Sequence, residues 1–222
     1  EPGFRSLARC ATILTGTQFH LMPDISLPSL PSCILIITVT VRHTTCEIRK
    51  MTGKSVEIKA RLSDRSGMES LAAQLADSGP ALIEQRDVFF NSASGRLKLR
   101  KFSAEEGELI HYHRPNTLEP AVSDYSVVET SQPDLLAEVL AGALGVIGVV
   151  SKVRTVYLIG QTRVHFDDVE SLGPFVELEV VLDESQTVDR GKEIAHSIMQ
   201  KLGIREDDLI DTAYIDMLPK ND

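Results

Sequence analysis

From residue 55 onward apolar and polar positions alternate with a period of two, the pattern of strands with one dry and one wet face. Val56, Ile58, Ala60 and Leu62 alternate with Glu57, Lys59 and Arg61. The spacing then turns helical. Ser66-Gly-Met-Glu69 has the form of a capping box, and Met68, Leu71, Ala72 and Leu75 carry an apolar stripe towards Gly79. A strand is predicted over Arg86–Asn91, a hairpin turn at Ser92-Ala-Ser-Gly95, and a return strand in Arg96-Leu-Lys-Leu-Arg100 with its basic residues on one face. Glu105-Glu-Gly107 turns the chain into Glu108–Arg114, and a further strand lies around Tyr125–Glu129. Pro133 opens a helix, where proline is tolerated in the first turn, with Leu135, Leu136, Val139, Leu140 and Leu144 as its stripe and Gly145 as its end. Strands follow at Val149–Ile159, Thr162–Asp167 and Phe175–Leu182, and a closing helix over Val188–Leu202 stops at Gly203. About eight strands with helices at the connections predict a mainly β (α+β) fold, one antiparallel barrel with helices packed outside.

Composition narrows the function classes. The 222 residues are 42% hydrophobic, enough to bury a core without staples, and carry a net charge of −9. That acidity excludes a sequence-independent nucleic-acid partner, which needs an exposed basic face. With 5% aromatics and no Trp there is little for base stacking, and no apolar run approaches a membrane span. Expected partners therefore include neither nucleic acid nor membrane.

The charge is unevenly spread. Residues 1–50 hold five basic residues (Arg5, Arg9, Arg42, Arg49, Lys50) against three acidic ones, together with all three cysteines and four prolines. This segment is expected to be a poorly ordered or targeting-like extension, with one strand-like patch at Cys33–Val41. Met51 stands as an alternative start, and a chain beginning there is expected to fold and act like the whole. Residues 51–222 are the expected functional domain. They contain no cysteine, which suits a reducing compartment, so a cytoplasmic location is expected, with organellar targeting by residues 1–50 as the alternative.

The polar parity of the strands collects Glu57, Lys59 and Arg61, then Lys98 and Arg100, Arg114, Lys152 and Arg154, then Arg163, His165 and Asp167, and finally Glu177 and Glu179. On periodicity alone, such charges belong on the solvent face of an ordinary barrel or sandwich. The opposite arrangement packs the apolar faces against outer helices and turns the charges inward, which is ruinous unless a polyanion occupies the cavity. The residue types favour the second arrangement. Cations recur at i, i+2 on several strands, many of them Arg, which forks onto phosphate oxygens. The carboxylates group apart from them, and carboxylates converging on one spot are ligands for Mg²⁺ or Mn²⁺.

On these stretches the chain resembles the CYTH superfamily, the triphosphate tunnel enzymes that include class IV adenylate cyclases and thiamine triphosphatases. The resemblance rests on Ser55-Val-Glu-Ile-Lys-Ala-Arg61, Gly95–Arg100, Glu108–Arg114, Ser123-Asp-Tyr125, Lys152-Val-Arg154 and Thr162–Asp168 running on to Leu172–Glu179. It implies an eight-stranded antiparallel closed barrel whose lumen holds a triphosphate. It implies phosphate contacts from Lys59, Lys98, Arg100, Arg114, Lys152, Arg154 and Arg163, to which Arg61 is added from the same face of the first strand. Glu57, Glu177 and Glu179 match metal-binding glutamates, with His165 and Asp167 as secondary metal candidates and Mg²⁺ (or Mn²⁺) as the ion. One departure stands out: Ser55 occupies the first glutamate of the Glu-x-Glu-x-Lys hallmark. Serine can hold a metal-bound water but cannot supply the charge.

The resemblance implies electrostatic catalysis of P–O cleavage, with Lys152, Lys59 or a metal-bound water as the base. Water as nucleophile gives a triphosphatase acting on inorganic triphosphate or on a small organic triphosphate, a nucleotide or thiamine triphosphate. The ribose 3′-hydroxyl of ATP gives a class IV-type adenylate cyclase forming cyclic AMP and pyrophosphate. Few lumen aromatics, Tyr112 among them, favour the triphosphatase. A catalytically weak triphosphate-binding protein is the third alternative. The oligomeric state is open, a homodimer included.

Overall fold

The computed structural model describes residues 50–219. The predicted extension, its strand-like patch at Cys33–Val41 and almost all of residues 1–50 lie outside the described residues. The elements are β1 (Lys50–Arg61), α1 (Arg65–Leu75), β2 (Ser78–Phe90), β3 (Arg96–Lys101), β4 (Gly107–His113), β5 (Ala121–Thr130), α2 (Pro133–Leu144), β6 (Val146–Ile159), β7 (Thr162–Val169), β8 (Gly173–Leu182), α3 (Val188–Leu202) and a short α4 (Tyr214–Met217). All sheet neighbours are antiparallel, and the eight strands close into a barrel in the order β1-β5-β4-β3-β2-β6-β7-β8. Closure removes every free sheet edge.

The helices decide which strand face is the inside. Val56, Ile58, Ala60, Leu178 and Val180 are buried on the outer face of β1 and β8, in the clusters that contain Ala195, Ile198, Met199 and Leu202 of α3. Burial of each such aliphatic side chain contributes roughly 1.5–3 kcal/mol. A side chain at Gly191 would place its Cβ 2.7 Å from Val56 Cγ2 and 2.8 Å from Leu182 Cδ2, so only glycine lets α3 lie this close. On the other side, Leu136 and Leu140 of α2 pack against Val88, Phe90 and Leu99. With their apolar faces covered from outside, the strands turn Glu57, Lys59 and their equivalents inward.

The differences from expectation are local. α1 starts from Asp64, whose carboxylate accepts from the Gly67 N–H at 2.9 Å, and not from Ser66; Glu69 accepts from Arg65 instead of closing a capping box. That helix ends at Leu75, so β2 begins at Ser78, eight residues before its expected start. In α2, Leu135, Val139 and Leu144 of the expected stripe are exposed, while Leu136 and Leu140 are partly buried and Pro133 is buried.

Candidate active site

The lumen is a cavity of about 660 Å³. Eight basic side chains line it: Lys59, Arg96, Lys98, Arg100, Arg114, Lys152, Arg154 and Arg163. Five carboxylates, Glu57, Asp87, Glu108, Glu177 and Glu179, share it with His165. The strand register explains the grouping. Glu57 stands opposite Glu179 and Lys59 opposite Glu177 across β1 and β8, while Arg163 faces Glu179 and His165 faces Glu177 across β7 and β8. Thus the candidate residues from β1, β7 and β8 form one wall. Arg61 shares their parity but is exposed and does not line the cavity; its guanidinium carbon stands 5.8 Å from the Phe175 ring.

Two buried aspartates organise the cations. Asp87 on β2 accepts from Lys98 Nζ at 2.8 Å and from Arg100 Nε and Nη2 at 2.9 and 3.0 Å. Burial works to raise its pKa, but Arg100 and Lys98 outweigh it and hold the carboxyl well below the usual carboxylate range. Asp167 on β7 is completely buried and does not line the cavity. It accepts from Lys152 at 3.0 Å, from Arg154 at 2.6 Å through both Nε and Nη2, and from the Tyr214 hydroxyl at 3.0 Å. Its carboxyl is likewise held low against burial by Arg154 and Lys152. Asp167 therefore acts as a counter-ion behind two phosphate-site candidates.

The three glutamates each meet a cation. Glu57 lies 3.3 Å from Arg114 and accepts from Ser55 Oγ at 2.9 Å; Glu177 lies 3.2 Å from Lys59 and 2.5 Å from Arg154; Glu179 lies 3.2 Å from Arg163. Even so, burial and the neighbouring Glu179 push the Glu57 carboxyl upward, with Glu177 adding to the repulsion. Glu177 is held well below the ordinary range despite its burial, chiefly by Lys59. His165 lies 3.9 Å from both Glu177 and Glu179, too far for a hydrogen bond, and burial with Arg154 nearby lowers its pKa, leaving the ring neutral at pH 7. Among the described residues no group of three His, Cys, Asp or Glu forms a ready-made metal cage. Mg²⁺, however, is usually held by one or two carboxylates together with substrate phosphates, and the mutual repulsion around Glu57 is what a divalent ion relieves. The donor set fits on that basis.

Lys152 and Lys59 are both nearly buried. Burial, with Arg154 beside it, pushes Lys152 down to about 8, so it is mostly cationic at pH 7 yet able to release its proton. Arg114 Nε and His165 Nδ1 are buried without a hydrogen-bond partner. Both residues line the cavity, and such atoms call for a ligand or ordered water.

Part of the lining was not anticipated from the strand pattern. Asp87 sits in a strand whose Val88, Phe89 and Phe90 are all buried, so no alternation marks it. Tyr214 comes from α4, outside any strand, and only the chain's return over β1 brings it in: the Ile210 N–H donates to the Lys59 carbonyl at 2.8 Å. Arg96 could have been found, since it shares the parity of Lys98 and Arg100.

The CYTH domain profile matches residues 53–214. The chain belongs to the CYTH domain family. A protein of Methanocaldococcus jannaschii named "Putative adenylate cyclase" is 23% identical to this CYTH protein over 174 residues, which span 73% of this chain and 97% of the relative. The PH1012 protein of Pyrococcus horikoshii superposes with a TM-score of 0.65 at 23% identity, covering 74% of this chain and 99% of that one. A conserved hypothetical protein of Pyrococcus furiosus gives 0.62 at 21% identity, over 74% of this chain and 99% of that one. At these identities the structures establish a shared fold. No helix of the described CYTH domain is long and apolar enough to cross a membrane.

Proposed function

We propose that the barrel binds a small triphosphate in its lumen and hydrolyses it with the help of a divalent ion. One observation carries the proposal: eight basic side chains line one cavity, and one of them, Arg114, has a buried Nε that makes no hydrogen bond although Glu57 lies 3.3 Å away. Even with Asp167 behind Lys152 and Arg154 and Asp216 on Arg96, the carboxylates leave an excess of cations, and a polyanion resolves that excess. Arg100, Arg114 and Arg154 are the phosphate clamps, with Lys59, Lys98, Lys152 and Arg163 completing the set. Each would neutralise charge on the oxygens as the P–O bond breaks. Glu57, Glu177 and Glu179 would hold the metal, with His165 beside them; the ion supplies charge neutralisation at the phosphate oxygens. Lys152, pushed down to about 8 by burial, is the candidate to take the proton from the attacking water.

A second reading is nucleotide cyclisation. It is favoured by the name of the M. jannaschii relative and by one wall of the lumen. There Ile110, Tyr112, Tyr125 and Val127 present apolar and aromatic surface on β4 and β5, room for an organic group beside the phosphates. A product screen separates the two. Tripolyphosphate, ATP, GTP and thiamine triphosphate are incubated with the full chain and Mg²⁺, and phosphate, pyrophosphate and cyclic nucleotide are quantified. Phosphate release supports hydrolysis, cyclic AMP with pyrophosphate supports cyclisation, and no turnover of any substrate refutes both.

A further inference from the structure

The segment after α3 does more than cover the barrel. It is fixed to the rim at three points: the Ile210 N–H on the Lys59 carbonyl, Arg96 on Asp216 at 2.7 Å, and Ile215 packed where Gly148 has no side chain. Fixed in this way, it places two groups against two lysines of the lumen and a third on the carboxylate that pairs with one of them. The Thr212 carbonyl accepts from Lys59 Nζ at 3.3 Å. The face of the Tyr214 ring lies 3.8 Å from Lys59 Nζ and 5.1 Å from Lys152 Nζ, measured to the ring centroid. The Tyr214 hydroxyl donates to Asp167, the carboxylate that also holds Lys152. Tyr214 is 7% exposed and its ring is backed by Phe175 at 5.0 Å between centroids.

We propose that Tyr214 is a positioning residue for the triphosphate site, its ring face holding the Lys59 and Lys152 ammonium groups in place and its hydroxyl holding Asp167, the carboxylate that pairs with Lys152. The proposal rests on the lumen being the triphosphate site. The reasoning is geometric. Lysine is a flexible chain with a point charge at its tip, and its head group is not aimed without contacts. Glu177 contacts Lys59 and Asp167 contacts Lys152, one carboxylate each. The ring lies beside both ammonium groups, and it attracts them without consuming an acceptor that a phosphate oxygen would otherwise have to displace. Each desolvated contact of this kind corresponds to roughly a 2- to 30-fold effect on affinity.

The hydroxyl and the ring separate cleanly by substitution. Tyr214→Phe removes one of the donors to Asp167 while Arg154 and Lys152 still hold it; Tyr214→Met keeps the bulk and loses the face. Tripolyphosphate binding is measured by calorimetry in Mg²⁺ buffer on the full-length chain. Tyr214→Phe should weaken binding about threefold, and Tyr214→Met tenfold or more, at matched melting temperature. Wild-type affinity in Tyr214→Met shows that the residue only fills space and overturns the proposal. A second measurement needs no variant of Tyr214 and no ligand. In the ¹H–¹³C spectrum of the wild-type chain, the Lys59 ε-methylene signal, assigned through Lys59→Arg, should be displaced upfield by the ring current. A Lys59 signal at the position of exposed lysines also overturns it. Absence of tripolyphosphate binding by the wild type, with the upfield signal present, refutes the triphosphate site and leaves the ring–lysine geometry standing.

Discussion

Replacing Asp87 with Asn removes the counter-ion of two buried cations while keeping the size of the side chain. Asp87 is 3% exposed and makes three hydrogen bonds, one to Lys98 and a bidentate pair to Arg100. Removing one partner from a buried ion pair costs about 3–5 kcal/mol, because the charge left behind has lost its hydration without compensation. With a urea slope of about 2 kcal/mol/M, the unfolding midpoint of Asp87→Asn should fall by about 2 M. The same change should have the opposite effect on ligand affinity. The uncompensated Lys98 and Arg100 face the lumen, so tripolyphosphate should bind the variant more tightly, by about tenfold, and should raise its midpoint more than it raises that of the wild type. The acid limb provides a further check. The folded carboxyl of Asp87 titrates below its unfolded value near 3.9, so its stabilisation is complete above about pH 4 and is lost as the pH falls from there through the depressed folded value. Asp87→Asn should therefore lose stability less steeply than the wild type below pH 4. An unchanged urea midpoint, or tripolyphosphate stabilising the variant less than the wild type, would show that the lumen cations are not held in waiting by Asp87.

Arg114→Ala should weaken tripolyphosphate binding by roughly 10- to 100-fold, the scale of a lost charge-assisted contact, as read by calorimetry. Glu57 titrates above its ordinary value, so the repulsion it suffers is absent below about pH 4 and fully present above its raised pKa; Mg²⁺ should accordingly raise the melting temperature of the wild type at pH 7, by a few degrees, and leave Glu57→Gln nearly unmoved. Equal shifts in the two proteins would remove Glu57 from the metal site. Lys152 loses its proton near pH 8, so triphosphate affinity should drop between pH 7 and 9 in the wild type relative to Lys152→Met, in which the ligand's own titration remains but the lysine's does not. Parallel pH profiles for the two would contradict that assignment.

The succession of strands along the chain and the parity of Glu57, Lys59, Lys98, Arg100, Lys152 and Arg154 were legible in the sequence, because alternation is a local property of the chain. Which parity faced inward was not legible in the periodicity, and only the residue types and the family resemblance pointed to a charged lumen. It depends on α3 and α2 covering the apolar faces, as Gly191 packed on Val56 shows, and a two-residue period is the same for a solvated face as for a charged lumen. The balance of charge inside the lumen was also hidden. Asp167 reads as a metal candidate from its place beside His165, yet its partners lie across the register on β6 and in α4, and they make it a counter-ion. Asp87 was missed for a related reason, since Val88, Phe89 and Phe90 directly after it are apolar on both faces and hide the parity. Tyr214 belongs to no periodic element at all.

The account stands on the lumen being a receptor for one small polyphosphate. Calorimetric titration of the full-length chain with tripolyphosphate in Mg²⁺, set against sulfate at matched ionic strength, tests this most directly. The account predicts a single site per chain for tripolyphosphate, strongly weakened by Arg114→Ala, and negligible heat from sulfate. Binding that is absent, or equal for both anions and indifferent to Arg114, would contradict it.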